Sequence, residues 1–176
     1  MNNKGFETRC VHGAYKAKSA QPQNLPIVQS TTYRYYNAQD VAELIDHDSP
    51  NPMYARLGSP TVDALEQKMA LLEYGTAGMS TSSGQSANLI AILNIAEAGD
   101  HILSGTNIYG GTYNLFNVTL RKLGIDVEFI DQDLPAEEIA AKARPNTKAL
   151  FGETLGNPAL SVLDIEKFAK IGRAHV

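Results

Sequence analysis

The sequence predicts an α/β chain, a parallel sheet flanked by helices and preceded by an extended arm. Three observations carry that expectation. From residue 76 onward, four short β-prone runs (TAGMST, HILSG, IDVEFID and TKALFGE) are each followed by a helical pattern. Strands separated by helix-length segments cannot be hairpins, so they pair in parallel through right-handed crossovers, with helices on both faces. The first 36 residues, by contrast, show no sustained period. Finally, 43% hydrophobic and 19% charged residues in a chain of 176 suffice for one well-buried core.

The elements follow in order. SAQPQNLPIVQSTTYRYY contains two prolines and many β-formers, and reads as an extended arm. NAQDVAELIDH predicts a short helix capped by Asn37, with Val41, Leu44 and Ile45 on one face. DSPNPMYARLG is a loop, because Pro50 and Pro52 forbid regular pairing around them. Ser59 then caps a helix with Pro60 at its first position and Val62, Leu65, Met69 and Leu72 recurring at three and four residues. Gly75 is the expected left-handed stop. The later helices are GQSANLIAILNIAEAG, GGTYNLFNVTLRKLG ending at Gly124, PAEEIAAKAR and LDIEKFAKI.

Charge and composition narrow the function. A net charge of −4 gives no basic surface for a nucleic-acid backbone or an anionic membrane. No apolar run approaches the ~18 residues of a membrane span. The single cysteine, Cys10, forms no internal disulfide and suits a reducing compartment, so a cytoplasmic location is the expectation. His12, His47, His101 and His175 are scattered without metal-ligand spacing, so no metal site is expected.

In a doubly wound sheet, ligands gather at the carboxyl ends of the strands. Here those ends are Ser82-Ser83-Gly84-Gln85, Asn107-Ile108-Tyr109-Gly110 and Glu153-Thr154-Leu155-Gly156-Asn157. Ser83 can simply cap the helix that starts at Gly84. Alternatively, the free amides of Gly84 and Gln85, with the Ser83 hydroxyl, can hold a phosphate. No G-x-G-x-x-G and no G-x-x-x-x-G-K-[ST] accompanies them, and SGQSA lacks the second glycine of a nucleophile elbow. Tyr54 and Arg56 in MYARLGSP suit a phosphate through a planar guanidinium and a phenol, or are an ordinary surface pair. Tyr109 before two glycines suits stacking on a flat ring, or is a core edge. Glu153 and Asn157 share one loop that a turn would equally explain.

Taken together and in order, YARLGSPT, SSGQSA, YGGTYNLF and GETLGNP resemble the Cys/Met-metabolism family of pyridoxal-phosphate enzymes, with O-acetylhomoserine sulfhydrylases the nearest subgroup. ETRCVHGAY and PIVQSTTYRY look like that family's N-terminal arm, so the likeness runs from about Thr8 to about Ile171. It implies part of the large domain of a fold type I transferase, with residues 1–58 as arm and inter-subunit segment and 59–176 as the start of the cofactor domain. It implies pyridoxal 5'-phosphate as cofactor. Ser83, Gly84 and Gln85 would hold its phosphate, Tyr109 would stack on its ring, and Asn157 would bond the ring's phenolic oxygen with Glu153 in support. Tyr54 and Arg56 would reach the phosphate of a neighbouring subunit in a homodimer or homotetramer. The implied chemistry is γ-replacement of acetate by sulfide on an amino-acid ester, giving homocysteine, with cystathionine γ-synthase and methionine γ-lyase as alternatives within the family.

The family's covalent cofactor lysine, the aspartate at the pyridine nitrogen and the carboxylate-binding arginine have no counterpart in these 176 residues. Lys148 lies where a strand begins, on the wrong rim of the sheet, and Asp131 and Asp133 follow a strand as ordinary polar residues. No catalytic residue is therefore assigned. The expectation is an amino-terminal portion of the enzyme, inactive by itself. The other readings are a non-catalytic partner chain of the same fold and an unrelated nucleotide-binding domain.

Overall fold

The computed structural model describes residues 5–46, 49 and 51–173, the side chain of Arg173 aside. The chain forms two compact units, Met1–Ser80 and Thr81–Val176.

In the first unit the arm carries a helix that its composition does not announce, α1 (Phe6–His12). What fixes it is tertiary. The buried Arg9 guanidinium lies over the Tyr74 ring at 4.5 Å and donates to the Leu71 carbonyl at 3.4 Å, at the end of α3 (Pro60–Leu72). Helix α2 (Ala38–Ile45) starts as predicted, with the Asn37 side chain accepting from the Asp40 amide at 2.8 Å. Of its expected apolar face only Leu44 is buried, and Ile45 is exposed. Helix α3 has Pro60 in its first turn, while the Ser59 amide donates to Asp63 at 3.2 Å. Its stripe of Val62, Leu65 and Met69 is exposed rather than packed. The left-handed residue that ends α3 is Tyr74 (φ 57°), not Gly75. The Arg9 contact holds that tyrosine where a glycine would sit more cheaply. Pro50, expected in the loop after α2, lies outside the described residues.

The predicted strand over 76–81 does not form; this stretch is irregular. Its donors go elsewhere, the Ser80 amide to the Glu66 carboxylate. Gly78 meanwhile packs so closely on the Glu66 backbone that a Cβ would sit 2.7 Å from the carbonyl oxygen.

The second unit holds the sheet. Strands β1 (His101–Gly105), β2 (Asp126–Ile130) and β3 (Thr147–Phe151) are parallel, in the order β2-β1-β3. The central strand is buried along its whole length, as a strand covered on both faces must be. Successive residues point to opposite faces. Ile102 joins a core with Ile92, Phe116, Leu120, Ile125 and Val127, under α4 (Gly84–Leu93) and the helix after β1. Leu103 joins Ile130, Ile139, Phe168 and Ile171, under α6 (Ala136–Ala140) and α7 (Ile165–Arg173). Helices on both faces of a parallel sheet are thus observed.

The helix after β1 begins as α5 (Gly110–Asn114) and widens into π-helical turns over Leu115–Leu120, which the sequence pattern does not reveal. Phe116 is fully buried there, edge-on to Phe151 with centroids 4.9 Å apart. Gly124, at φ 83°, ends that helix where expected. Among the described residues no helix is long and apolar enough to cross a membrane.

Candidate functional site

At the start of α4, Ser83 is extended and its Oγ accepts from the Ser86 amide at 3.1 Å while lying 3.0 Å from the Ser86 hydroxyl. The serine is therefore a cap. Capping satisfies the third amide of the helix and leaves those of Gly84 and Gln85, which no intrahelical carbonyl can reach. The helix dipole adds positive potential there, and the first turn contains no acidic residue. A Cβ built on Gly84 meets no atom of the protein within 4 Å. The cap and an open anion approach thus coexist in one turn.

The Gln85 side chain turns away from that opening. Its Nε2 donates to Thr112 Oγ1 at 3.1 Å, and Asn88 Nδ2 donates to the same oxygen at 3.2 Å. Thr112 is a buried residue of α5, only 1% exposed, that sequence reasoning did not single out. Its one signal is a hydroxyl near the start of a helix, too common to be informative.

On the loop after β1, Ile108 is buried and Tyr109 is half exposed. The tyrosine ring lies so close to Gly111 that a Cβ there would come 2.5 Å from the ring edge. Gly111, the second of the two glycines, therefore makes room for the ring. Both carboxylate oxygens of Glu153 accept from the Tyr109 amide, each at 3.1 Å, tying the β3 loop to the β1 loop.

The loop after β3 is held internally as well. Gly156 donates to the Ser161 carbonyl at 2.8 Å and accepts from the Leu160 amide at 2.8 Å, and Leu163 donates to Thr154 at 3.1 Å. Gly156 is buried against Asn107, where a Cβ would come 2.9 Å from the carbonyl oxygen. Asn157 projects from this fixed loop, exposed, before a cis bond to Pro158. Gly84, Gln85, Tyr109, Glu153 and Asn157 thus stand on three loops that are fastened to one another. Tyr54 and Arg56 belong to the first unit. There Tyr54 bridges Thr32, Ala55 donates to Thr31 at 2.8 Å, and the Arg56 guanidinium lies 4.9 Å from the Tyr54 ring centre.

The shifted titrations lie at the other rim, where the strands begin. His101 is fully buried, with Nδ1 2.8 Å from Thr147 Oγ1 and Nε2 3.9 Å from Glu128. Burial, then the Arg144 charge, lowers its pKa from the ordinary 6.5. The Asp126 carboxyl is lowered chiefly by its hydrogen bond from Arg144, and that of Glu128 by its hydrogen bond from Lys142. Lys148 pairs with Asp100 at 3.8 Å on this rim, away from the loops. Among the described residues no group of three or more His, Cys, Asp or Glu could hold a metal ion; His47 and His175 lie outside them.

The model of one family, Cys/Met metabolism PLP-dependent enzyme, matches residues 7–176. The chain belongs to that family. It is 45% identical over 172 residues to an O-acetyl-L-homoserine sulfhydrylase of Corynebacterium glutamicum, covering 97% of this chain and 39% of that protein. It is 36% identical to an L-methionine gamma-lyase of Treponema denticola, covering 97% of this chain and 42% of the relative. A crystal structure of a Campylobacter jejuni protein named as an O-acetylhomoserine (thiol)-lyase superposes with a TM-score of 0.85 at 35% identity, over 98% of this chain and 42% of that one. That crystal contains N'-pyridoxyl-lysine-5'-monophosphate. The chain spans about two fifths of the length of these relatives. The family is enzymatic and depends on pyridoxal phosphate, and the parallel α/β architecture belongs to it.

Proposed function

We propose that the loops at the carboxyl ends of β1 and β3, with the start of α4, form part of the pyridoxal 5'-phosphate site of an O-acetylhomoserine sulfhydrylase. The observation that carries this is the start of α4: two amides with no partner inside the helix, positive dipole potential, and a glycine with empty space where a side chain would be. A Cβ on Gly84 would stand in open space, so no side chain blocks the approach of an anion to these amides. Tyr109 supplies an exposed ring face held by the Glu153 carboxylate on its amide, and Asn157 an amide for an acceptor on a flat ligand.

In this reading Gly84 and Gln85 donate to the phosphate, with Ser83 keeping the turn open by capping. Tyr109 stacks on the ring and excludes water from one face. Asn157 fixes the in-plane rotation of the ring. Tyr54 and Arg56 add a phenol and a planar cation for a phosphate, in the family pattern that of a second copy of the chain. When bound, pyridoxal phosphate supplies an electron sink for carbanions of the amino-acid substrate. The reaction proposed for the whole protein is replacement of the acetyl group of O-acetylhomoserine by sulfide, giving homocysteine. The relative from Corynebacterium glutamicum supports that substrate choice.

Equilibrium titration of the protein with pyridoxal 5'-phosphate, pyridoxal and AMP is the test. Preference for the phosphorylated vitamer over both others is the expected result. Equal binding of pyridoxal would remove the phosphate role of α4, and preference for AMP would favour a nucleotide domain. A second reading, elimination rather than replacement, is supported by the relative from Treponema denticola. Feeding the whole protein O-acetylhomoserine with and without sulfide separates them: homocysteine marks replacement, whereas 2-oxobutyrate without sulfide uptake marks elimination.

A further inference from the structure

We propose that Thr112 is a positioning residue whose hydroxyl oxygen couples the phosphate-facing turn of α4 to the ring-facing turn of α5. The inference rests on the pyridoxal-phosphate reading above and adds to it the device that sets the spacing between the two contacts.

Gln85 and Asn88 are three residues apart, so they share a face of α4. Both side-chain amides donate to the one oxygen, Thr112 Oγ1, at 3.1 and 3.2 Å. A hydroxyl has two acceptor lone pairs, so this oxygen is fully used by the two helix-borne donors. Thr112 is 1% exposed and lies in α5 three residues after Tyr109, the residue that opens that helix. Gln85 is in turn the second residue of α4, next to Gly84. The Gln85 bond therefore joins the first turn of α4 to the first turn of α5, and the Asn88 bond ties the next turn of α4 to the same oxygen. A change in their length moves the amides of Gly84 and Gln85 relative to the Tyr109 ring.

The coupling also explains the orientation of Gln85. Its side chain is withdrawn from the anion approach and spent on Thr112, so only its backbone amide faces the opening. Glu153 fixes the Tyr109 amide from the other side, at 3.1 Å to each oxygen, so the tyrosine is held from β3 and, through Thr112, from α4. A ligand that touches both the α4 amides and the ring needs both distances correct at once. Loss of the hydroxyl should therefore weaken a ligand that spans the two contacts more than one that reaches only the ring.

Valine is nearly isosteric with threonine but accepts no hydrogen bond, whereas serine keeps the acceptor. The protein is prepared as isolated, stripped of cofactor and titrated with pyridoxal 5'-phosphate and, separately, pyridoxal. Thr112→Val should raise the dissociation constant for pyridoxal 5'-phosphate on the order of tenfold, about the effect of leaving two partly buried donors unpaired, and that for pyridoxal by less than threefold. Thr112→Ser should restore binding to within about threefold of the parent. Asn88→Ala removes one of the two donors and should give an intermediate loss; it tests the same coupling should the valine variant not fold. Unchanged affinity in Thr112→Val, or in Asn88→Ala where the valine variant does not fold, would overturn the proposal. So would a serine variant as weak as the valine one, or equal losses for both ligands, which indicate packing alone. A parent protein that binds pyridoxal as tightly as its phosphate ester would overturn the phosphate reading itself, and this proposal with it.

Discussion

Gly84→Ala separates a ligand-facing glycine from one that the fold itself requires. The added methyl group meets no protein atom within 4 Å, and the residue is the first of α4, a helical position with no positive φ. Alanine is the better helix former by up to about 1 kcal/mol. A change of 1 kcal/mol moves the melting temperature of a chain this size by about 2–4 °C. The substituted protein without ligand should therefore melt at the parent temperature or up to about 4 °C above it. The same methyl group occupies the space through which an anion must pass to reach the amides. Losing one charge-assisted hydrogen bond costs about 1.5–3 kcal/mol, a tenfold to hundredfold rise in the dissociation constant for pyridoxal 5'-phosphate. Calorimetric melting and equilibrium titration of the same samples check both halves. Parent-like affinity with a parent-like melting temperature would refute the claim that Gly84 is kept open for a ligand. A lowered melting temperature would show that the space serves the fold.

Gly156→Ala should behave in the opposite way: its Cβ would sit 2.7 Å from Ser161 Oγ and 2.9 Å from the Asn107 carbonyl. The overpacking should cost about 1–3 kcal/mol by thermal melting, and cofactor affinity should fall with it as Asn157 and Tyr109 shift together. Phe116→Ala empties a fully buried site beside Phe151 and should destabilise by about 3–5 kcal/mol in denaturant unfolding, with near-parent cofactor affinity under conditions where the chain stays folded. Arg56→Ala should weaken retention of pyridoxal 5'-phosphate without a fall in melting temperature, since its contact with Tyr54 is exposed; unchanged retention on dialysis would remove Arg56 from the phosphate role. For pH, the lowered pKa of His101 means that the unfolded chain takes up its proton first, so stability is complete above pH 6.5 and declines as pH falls through that value. Asp126 and Glu128, also lowered, add stability that is lost at still lower pH, and His101→Gln should flatten the upper step in melting temperature measured between pH 7.5 and 5.5.

Much of the second unit was legible from local pattern. HILSG and Gly124 stand where the alternation of short β-prone runs with helices and the turn chemistry put them, because a parallel strand is spaced from the next by a helix and a helix end leaves a glycine. What was not legible depended on partners distant in sequence. Helix α1 is fixed by Arg9 reaching Leu71 and Tyr74, more than 60 residues away. The run 76–81 has the composition of a strand, but a strand exists only through its ladder, and the Ser80 amide is taken by a side chain. The stripes on α2 and α3 have helical period, yet period shows which residues share a face and not whether anything covers them. At the site, Gly84 and Tyr109 were visible because glycine and an aromatic at a strand end are unusual. Thr112 was not, since its importance lies in two donors that only folding brings to it.

The two rims of the sheet differ in a way that supports the proposed place of the site. Where the strands begin, charges neutralise one another: Arg144 binds Asp126 at 2.6 Å and Glu128 at 3.3 Å, and Lys142 binds Glu128 at 2.9 Å. On that rim the charged side chains are paired with one another, while the buried His101 Nε2 has no hydrogen-bond partner. Where the strands end, hydrogen bonds fasten the loops to one another through Glu153 and Thr112 and hold the β3 loop internally through Gly156, and they leave out the α4 amides, the Tyr109 ring and the Asn157 amide. Internal bonding there is spent on fixing positions, while the groups that face outward stay free. In the proposed site these bonds hold the loops in place without a ligand, which lowers the cost of ordering them on binding. That preorganisation is what Gly84→Ala leaves intact and Gly156→Ala disturbs, and the pair of titrations distinguishes a blocked site from a displaced one.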